Sequence, residues 1–253
     1  MQDRIAGLHR NPQAEKAIFD NRQPRRRRTL WLAAVCAVAF AVLAFFVQAG
    51  ITTPFDNLAV TRATTLSSTR GLVPAANLAS SLASLPSLAA VLLVSSYLLG
   101  RSRSDRHRLF MLQCASLVGA GILNLGLKVA FGRLRPEVAL VAETGLSFPS
   151  GHSMLSMAAF GLVALLVMKR VRNPRAKTAL VAAMGVTIAL VGASRVLLGV
   201  HYPTDVLGGF LASLAWILLV SRFIPEGRPT EARTARVPAA APIVRRHAST
   251  QIP

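Results

Sequence analysis

Charged residues are scarce in this chain of 253 residues, and acidic residues are the scarcest of them. Only 15% of the residues are charged, 10 are Asp or Glu, and 53% are hydrophobic. The mean hydropathy is +0.48. Soluble domains carry about 25% charged residues, so this composition argues against most soluble folds and indicates a membrane protein.

Cysteine is also rare, and its placement excludes two kinds of site. The 2 cysteines, Cys36 and Cys114, each lie inside an apolar run. They form neither a disulfide framework nor a metal-binding spacing. We interpret both as packing residues.

Six long apolar runs contain most of the hydrophobic residues. They are Leu30–Gly50, Leu72–Leu99, Leu109–Ala130, Met154–Met168, Ala179–Ala193 and Val206–Val220. A bilayer core needs about 20 helical residues, so each of the last three must include polar neighbours. Pro86, inside the second run, predicts a kink. A signal peptide that is cleaved after Ala49 is the alternative for the first run, but its length favours a retained helix.

The net charge of +19 falls in blocks between apolar runs, so it does not indicate a nucleic-acid surface. The blocks precede the first run, as in Arg25–Arg28, and follow the second, fourth and sixth. If all six runs span, these blocks share one side, which the positive-inside rule makes cytoplasmic. The sequence therefore predicts an all-α bundle of six transmembrane helices with both termini cytoplasmic. Residues 1–29 would be a basic arm, 30–224 the membrane domain and 225–253 a basic, disordered tail.

The opposite side carries few charges, and most of them stand at the ends of apolar runs. Its basic residues are Arg62, Arg70, Lys128, Arg133, Arg135 and Arg195, and it also carries His152, His201 and Asp205. Singly, Lys128 and Arg195 could be snorkelling anchors, and His201–Asp205 could be an ordinary helix start. Charged groups at membrane depth are costly. Because all of these residues face the same aqueous layer, together they predict a functional site.

The segment Phe148–Ser153 forms a loop that leads into the fourth run. Pro149 sets the backbone angle at the entry, and Gly151 lets a bound group approach the backbone. Ser150 and the first free N–H groups of the helix form an anion site, to which His152 adds a titratable proton donor. An ordinary helix entry could have the same sequence, so the neighbouring motifs decide the interpretation.

Three motifs together resemble the signatures of the type 2 phosphatidic acid phosphatase superfamily. They are Lys128-x6-Arg135-Pro136, Pro149-Ser150-Gly151-His152 and Ser194-Arg195-x5-His201-x3-Asp205, complete and in order. The superfamily includes bacterial undecaprenyl pyrophosphate phosphatases and, as soluble relatives, vanadium-dependent haloperoxidases and acid phosphatases. The resemblance covers the third to the sixth run.

This resemblance implies a membrane hydrolase that removes phosphate from a lipid through a phosphohistidine. His201 would be the nucleophile, Asp205 would fix its tautomer, and His152 would act as acid and then as base. The phosphate-binding groups implied by the motifs are Lys128, Arg135, Ser150, Gly151 and Arg195. We expect no metal and no cofactor, because the outer carboxylates form no evident metal cluster; they are Asp56, Glu137, Glu143 and Asp205.

The expected partners are the bilayer and a lipid phosphate, without nucleic acid. Undecaprenyl pyrophosphate, phosphatidylglycerol phosphate and phosphatidic acid all stay open as substrates. The Ala- and Arg-rich composition indicates a GC-rich bacterium, which favours undecaprenyl pyrophosphate or phosphatidylglycerol phosphate. The expected location is a bacterial inner membrane, with the site facing the periplasm or cell exterior. The alternatives are a six-helix transporter or scaffold, or a vanadate-binding haloperoxidase relative. Transporters place polar groups near the midplane, whereas these lie at helix ends, and the haloperoxidases of this superfamily are soluble.

Overall fold

The structure is a computed structural model that describes residues 12–224. Over these residues the chain is helical and contains no strand. The helices are α1 (Pro12–Gln48), α2 (Thr53–Thr69), α3 (Val73–Ser81), α4 (Leu85–Leu99), α5 (Arg103–Phe131), α6 (Gly151–Ser156), α7 (Leu162–Arg170), α8 (Pro174–Leu197) and α9 (Pro203–Val220). Residues 1–11 of the predicted arm and the predicted disordered tail lie outside the described residues.

The helices bear out the prediction of an all-helical membrane bundle. Five described segments are long and apolar enough to cross a membrane, and a sixth results if α3 and α4 form one span bent by 48°. The bend lies between Ser81 and Leu85, and Pro86 lies in the first turn of α4, as the predicted kink requires. The exact number of spans and the cytoplasmic termini stay predictions.

Two helices differ from what the apolar pattern predicts. Helix α1 begins at Pro12, well before the apolar run, so part of the arm preceding Leu30 is helical. Helix α2 lies between the first two runs, where Thr, Ser and charged residues interrupt the apolar pattern. Pro54 and Asp56 in its first turn favour a helix start by fixed φ and by charge.

The fourth run lies at the centre of the bundle. The helices α6 and α7 are joined by a π-helical turn over Met157–Gly161. Of the most apolar stretch of this span 61% is buried inside the bundle, whereas only 17% of the corresponding stretch of α1 is buried. The helices of the last three runs extend beyond their apolar cores, to Gly151, Leu197 and Pro203. The motif residues consequently lie at helix ends, as predicted.

Polar contacts tie the helices together at both ends of the bundle. At one end, Lys169 Nζ donates to the Ser221 carbonyl over 3.2 Å. At the other end, the Ser150 amide donates to the Asp205 carbonyl over 3.0 Å. We call this second end the site end. Gly132, at φ 62°, ends α5 there in the left-handed region that glycine tolerates and starts the loop 132–150.

Candidate active site

His201 and Asp205 are held together at the start of α9. His201 is 1% and Asp205 0% exposed at the side chain, and His201 Nδ1 lies 3.4 Å from Asp205 Oδ2. The same carboxylate oxygen accepts from the Tyr202 amide over 2.9 Å, which caps the helix. Asp205 therefore both stabilises the start of α9 and lies beside the imidazole, so the structural interpretation of this segment does not exclude the functional one.

Arg135 reaches the other side of the same ring. Its Nη1 lies 3.1 Å from His201 Nε2 and 2.9 Å from the Val200 carbonyl oxygen. A guanidinium can only donate, so Nε2 accepts and carries the lone pair, which assigns the proton to Nδ1. The Arg135 Nε and Nη2 atoms donate to the carbonyls of Gly145 and Thr144, both over 3.0 Å.

Arg195 enters the site from the last turn of α8. Its Nη1 donates to Ser80 Oγ over 2.6 Å, and its Nη2 lies 2.9 Å from Glu143 Oε1. The same carboxylate oxygen is 3.8 Å from Arg135 Nη2. Glu143 lies in the loop 132–150, and its carboxylate stands between two cations that the motifs assign to phosphate.

Lys128 and the entrance of α6 complete the arrangement. Lys128 Nζ donates to the Leu146 carbonyl over 2.6 Å. Ser150 is fully buried, and its Oγ accepts from Ser153 Oγ over 3.1 Å. Asn124 Nδ2 donates to the Pro149 carbonyl over 3.0 Å, so α5 positions the loop that leads to Gly151.

His152 lies in the first turn of α6, beside the same cations. It is within electrostatic reach of Arg195, Glu143, His201 and Arg135. The structure thus brings together every residue singled out by the three motifs, at one end of the bundle. Their individual roles in binding and catalysis stay predictions.

The electrostatic environment keeps the His201 ring neutral near pH 7. Burial lowers the pKa of His201 to about 4; Asp205 opposes this shift, and Arg135 and Arg195 add to it. Burial also acts to raise the pKa of Glu143, but Arg195 and Arg135 outweigh it and the pKa is lowered. At neutral pH the imidazole is therefore uncharged, and Glu143 is a charged partner of the arginines.

Sequence reasoning missed three polar groups of the site. Ser147 Oγ makes a short hydrogen bond to Asp205 Oδ2 and lies 3.3 Å from His201 Nδ1. Arg133 forms ion pairs with both Asp205 and Asp56. The only signals were weak: Arg133 lies two residues before Arg135, Ser147 precedes the Pro-Ser-Gly-His motif, and Asp56 is one of few outer carboxylates.

Comparison with known proteins places this arrangement in a family. The sequence model of the PAP2 superfamily matches residues 109–229. An undecaprenyl-diphosphatase of Bacillus subtilis is 30% identical over 148 residues, which cover 55% of this chain and 69% of that protein. The chain belongs to the PAP2 superfamily.

Two further PAP2 relatives come from Bacillus subtilis. A phosphatidylglycerophosphatase B is 43% identical over 104 residues, or 40% of this chain and 51% of the relative, so the match spans about half the length of that protein. The crystal structure of a transmembrane PAP2-type phosphatidylglycerolphosphate phosphatase has a TM-score of 0.66 and 28% identity, over 76% of this chain and 96% of that one. The PAP2 membrane fold therefore extends over most of the chain.

Proposed function

We propose that this PAP2 protein is an integral-membrane lipid phosphatase that hydrolyses a phosphate monoester or diphosphate of a lipid. The observation that carries the proposal is the neutral, buried His201 with its Nε2 lone pair directed at Arg135. The site opens at helix ends on the proposed extracytoplasmic side of a bacterial inner membrane. An amphiphile can keep its tail in lipid there while its phosphate meets the cations.

The first chemical step forms a bond between His201 Nε2 and phosphorus. Positioning and charge neutralisation dominate phosphoryl transfer, and Lys128, Arg135 and Arg195 supply three positive charges. In a monoester the bond from phosphorus to the lipid oxygen breaks; in a diphosphate the bond from the terminal phosphorus to the oxygen that bridges the two phosphorus atoms breaks. In either case that oxygen takes a proton from His152. Asp205 stabilises the positive charge on the phosphorylated imidazole.

The second step releases the phosphate. A water molecule gives a proton to His152 and attacks phosphorus, and the bond to Nε2 breaks. His201 returns to its neutral form, and His152 regains the proton it had lost. The described carboxylates near the site are engaged by protein groups: Glu143 by Arg195, and Asp56 and Asp205 by Arg133. Cations of the protein thus take the role that a metal has in many phosphatases.

Purified protein in detergent should release phosphate from at least one lipid phosphate, and EDTA should leave the rate unchanged. The panel should include phosphatidylglycerol phosphate, undecaprenyl pyrophosphate, phosphatidic acid and a lipid A phosphate, with phosphate release as the measurement. Bromide oxidation in the presence of vanadate and peroxide serves as the assay for the haloperoxidase alternative. Absence of phosphate release from every lipid, or strong inhibition by EDTA, would contradict the proposal.

Substrate phosphate and the Glu143 carboxylate should compete for the same arginines. Glu143 is 29% exposed at the side chain, so its pairing contributes on the order of 1 kcal/mol, which corresponds to about fivefold in affinity. Glu143→Gln should therefore lower the inhibition constant of inorganic phosphate by about fivefold. Glu137→Gln removes the same charge from an exposed position in the same loop and should leave the constant unchanged. Weaker phosphate inhibition in Glu143→Gln would show that Glu143 assists binding instead.

A further inference from the structure

Asp205 is surrounded by hydrogen-bond donors on both carboxylate oxygens. Oδ1 accepts from Arg133 Nη1 over 2.7 Å. Oδ2 accepts from the Tyr202 amide and Ser147 Oγ and faces His201 Nδ1. The carboxylate is fully buried, and burying an ion is costly unless it is paired. Among the described contacts, Arg133 is the cation paired with it.

Arg133 joins Asp205 to a second buried carboxylate. Its Nη2 lies 2.8 Å from Asp56 Oδ2, its side chain is 14% exposed, and Asp56 is fully buried. The guanidinium also stacks over the Tyr202 ring, 4.1 Å from the ring centroid. Both terminal nitrogens and one face of the guanidinium are therefore engaged, which fixes the direction from which Arg133 approaches Asp205.

Asp56 also binds the first turn of α9 directly. Its Oδ2 accepts from Thr204 Oγ1 over 2.6 Å, and its Oδ1 accepts from the Thr204 amide over 3.3 Å. These contacts connect α2 to a helix start 148 residues further along the chain. Asp56 therefore restrains Arg133, the cation paired with Asp205, and also the backbone at the start of α9 that carries Asp205.

The charges in this chain of contacts do not cancel. Asp56 and Asp205 are two carboxylates with one guanidinium between them, which leaves one negative charge next to His201. Arg133 with Asp205 alone would be neutral and would stabilise a cationic imidazole less. The first step of the proposed reaction creates such a cation when phosphorus bonds to Nε2.

We propose that Arg133 and Asp56 are positioning residues that act on His201 through Asp205, Arg133 by orienting the carboxylate and Asp56 by keeping its surroundings net negative. This inference rests on the proposed function for its catalytic consequence. It assigns a role to α2, a helix that carries none of the three motifs.

Several other charged groups around His201 have to stay constant in a test. Arg135, Arg195 and His152 act on the ring, and Lys128 and Glu143 act on these groups. They come from α5, the loop 132–150, α6 and α8. Variants at Asp56 and Arg133 change none of these residues. Removal of Arg133 adds one net negative charge near the ring and should raise the pKa of His201. Removal of Asp56 as well restores the original net charge.

The test compares Asp56→Asn, Arg133→Gln, Arg133→Lys and the double variant Asp56→Asn/Arg133→Gln. Turnover of a lipid phosphate gives kcat and KM, and ¹⁵N NMR of the His201 ring gives its tautomer and pKa. Each single variant should lower kcat by about 10- to 100-fold, by analogy with the range for groups that orient metal-binding histidines, with little change in KM. The His201 pKa should rise in Arg133→Gln and return towards the wild-type value in the double variant. Arg133→Lys keeps the positive charge but loses the planar guanidinium that binds two carboxylates at once. The value of kcat should therefore fall while the His201 pKa stays at its wild-type value.

Asp105→Asn is the matched control, because Asp105 pairs with Arg170 at the opposite end of the bundle. This substitution should lower thermal stability without changing kcat or the tautomer and pKa of the His201 ring. If Asp56→Asn and Arg133→Gln behave like Asp105→Asn, with only stability lost, the inference is overturned. A wild type without turnover would overturn the proposed function instead, and the NMR titration would still decide whether Arg133 and Asp56 control the ring.

Discussion

His201→Ala should lower kcat/KM for a lipid phosphate by at least about 10³-fold, the scale expected when a nucleophile is removed. The ring nitrogen Nε2 is the atom that would bond to phosphorus, and no other described side chain takes its place beside Arg135. Turnover that persists would come from water attacking a phosphate that the cations still hold. KM should change little, because Lys128, Arg135 and Arg195 are all retained.

The measurement should follow the phosphorylated protein as well as the product. Rapid quenching with ³²P-labelled substrate should label the wild type and not His201→Ala, and the label should survive alkali and be lost in acid, as a phosphohistidine requires. His107→Ala changes an exposed histidine on α5 near the opposite end of the bundle and should keep full activity. Turnover of His201→Ala within tenfold of the wild type would refute the nucleophile assignment.

The motif residues were predictable because hydropathy and charge place each of them at the end of an apolar run. Lys128, His152, Arg195 and His201 interrupt or border runs that would otherwise be uniformly apolar, and an odd number of spans would scatter the basic blocks. Charged groups at such positions have few structural explanations. The confirmed helical bundle follows from the same pattern, since the first three runs are long enough for a span and the last three become long enough once their polar ends are included.

The second set of site residues was not predictable, for a reason that lies in tertiary structure. Asp56 pairs with Arg133, which is 77 residues away in the sequence. The spacing of apolar residues does not indicate against which helices α2 packs. In sequence, Asp56 is an acid between the first two apolar runs, and even its place in the first turn of α2 is one that favours an acid in any helix. Its burial against α9 decides its role, and burial depends on how separate helices pack.

Glu143 illustrates a similar limit on sequence interpretation. In a polar loop a glutamate is normally solvated, and nothing in the sequence distinguishes Glu143 from such a residue. The structure shows its carboxylate between Arg195 and Arg135, because the loop 132–150 folds back over the ends of α5 and α8. Arg135 fixes this fold by donating to two loop carbonyls, those of Thr144 and Gly145.

Asp205→Asn should lower kcat by about 10³- to 10⁴-fold, comparable to the corresponding change in a serine-protease triad. Four donors surround the carboxylate: Arg133, Ser147, the Tyr202 amide and His201 Nδ1–H. An asparagine must direct its NH2 group at some of these donors, whichever way the amide is turned. If the NH2 group faces His201, Nδ1 becomes the acceptor and the proton moves to Nε2, so the lone pair that attacks phosphorus is lost.

This mechanism predicts a specific pattern in the Asp205→Asn protein. KM should stay near the wild-type value, because Asp205 contacts the ring and not the cations proposed to bind phosphate. In ¹⁵N NMR the His201 ring should change from the Nδ1–H to the Nε2–H tautomer. Asp105→Asn again supplies the control, since it is the same substitution at an ion-paired aspartate far from the site. A loss confined to KM, or a tautomer that stays at Nδ1–H with normal kcat, would contradict the proposed role of Asp205.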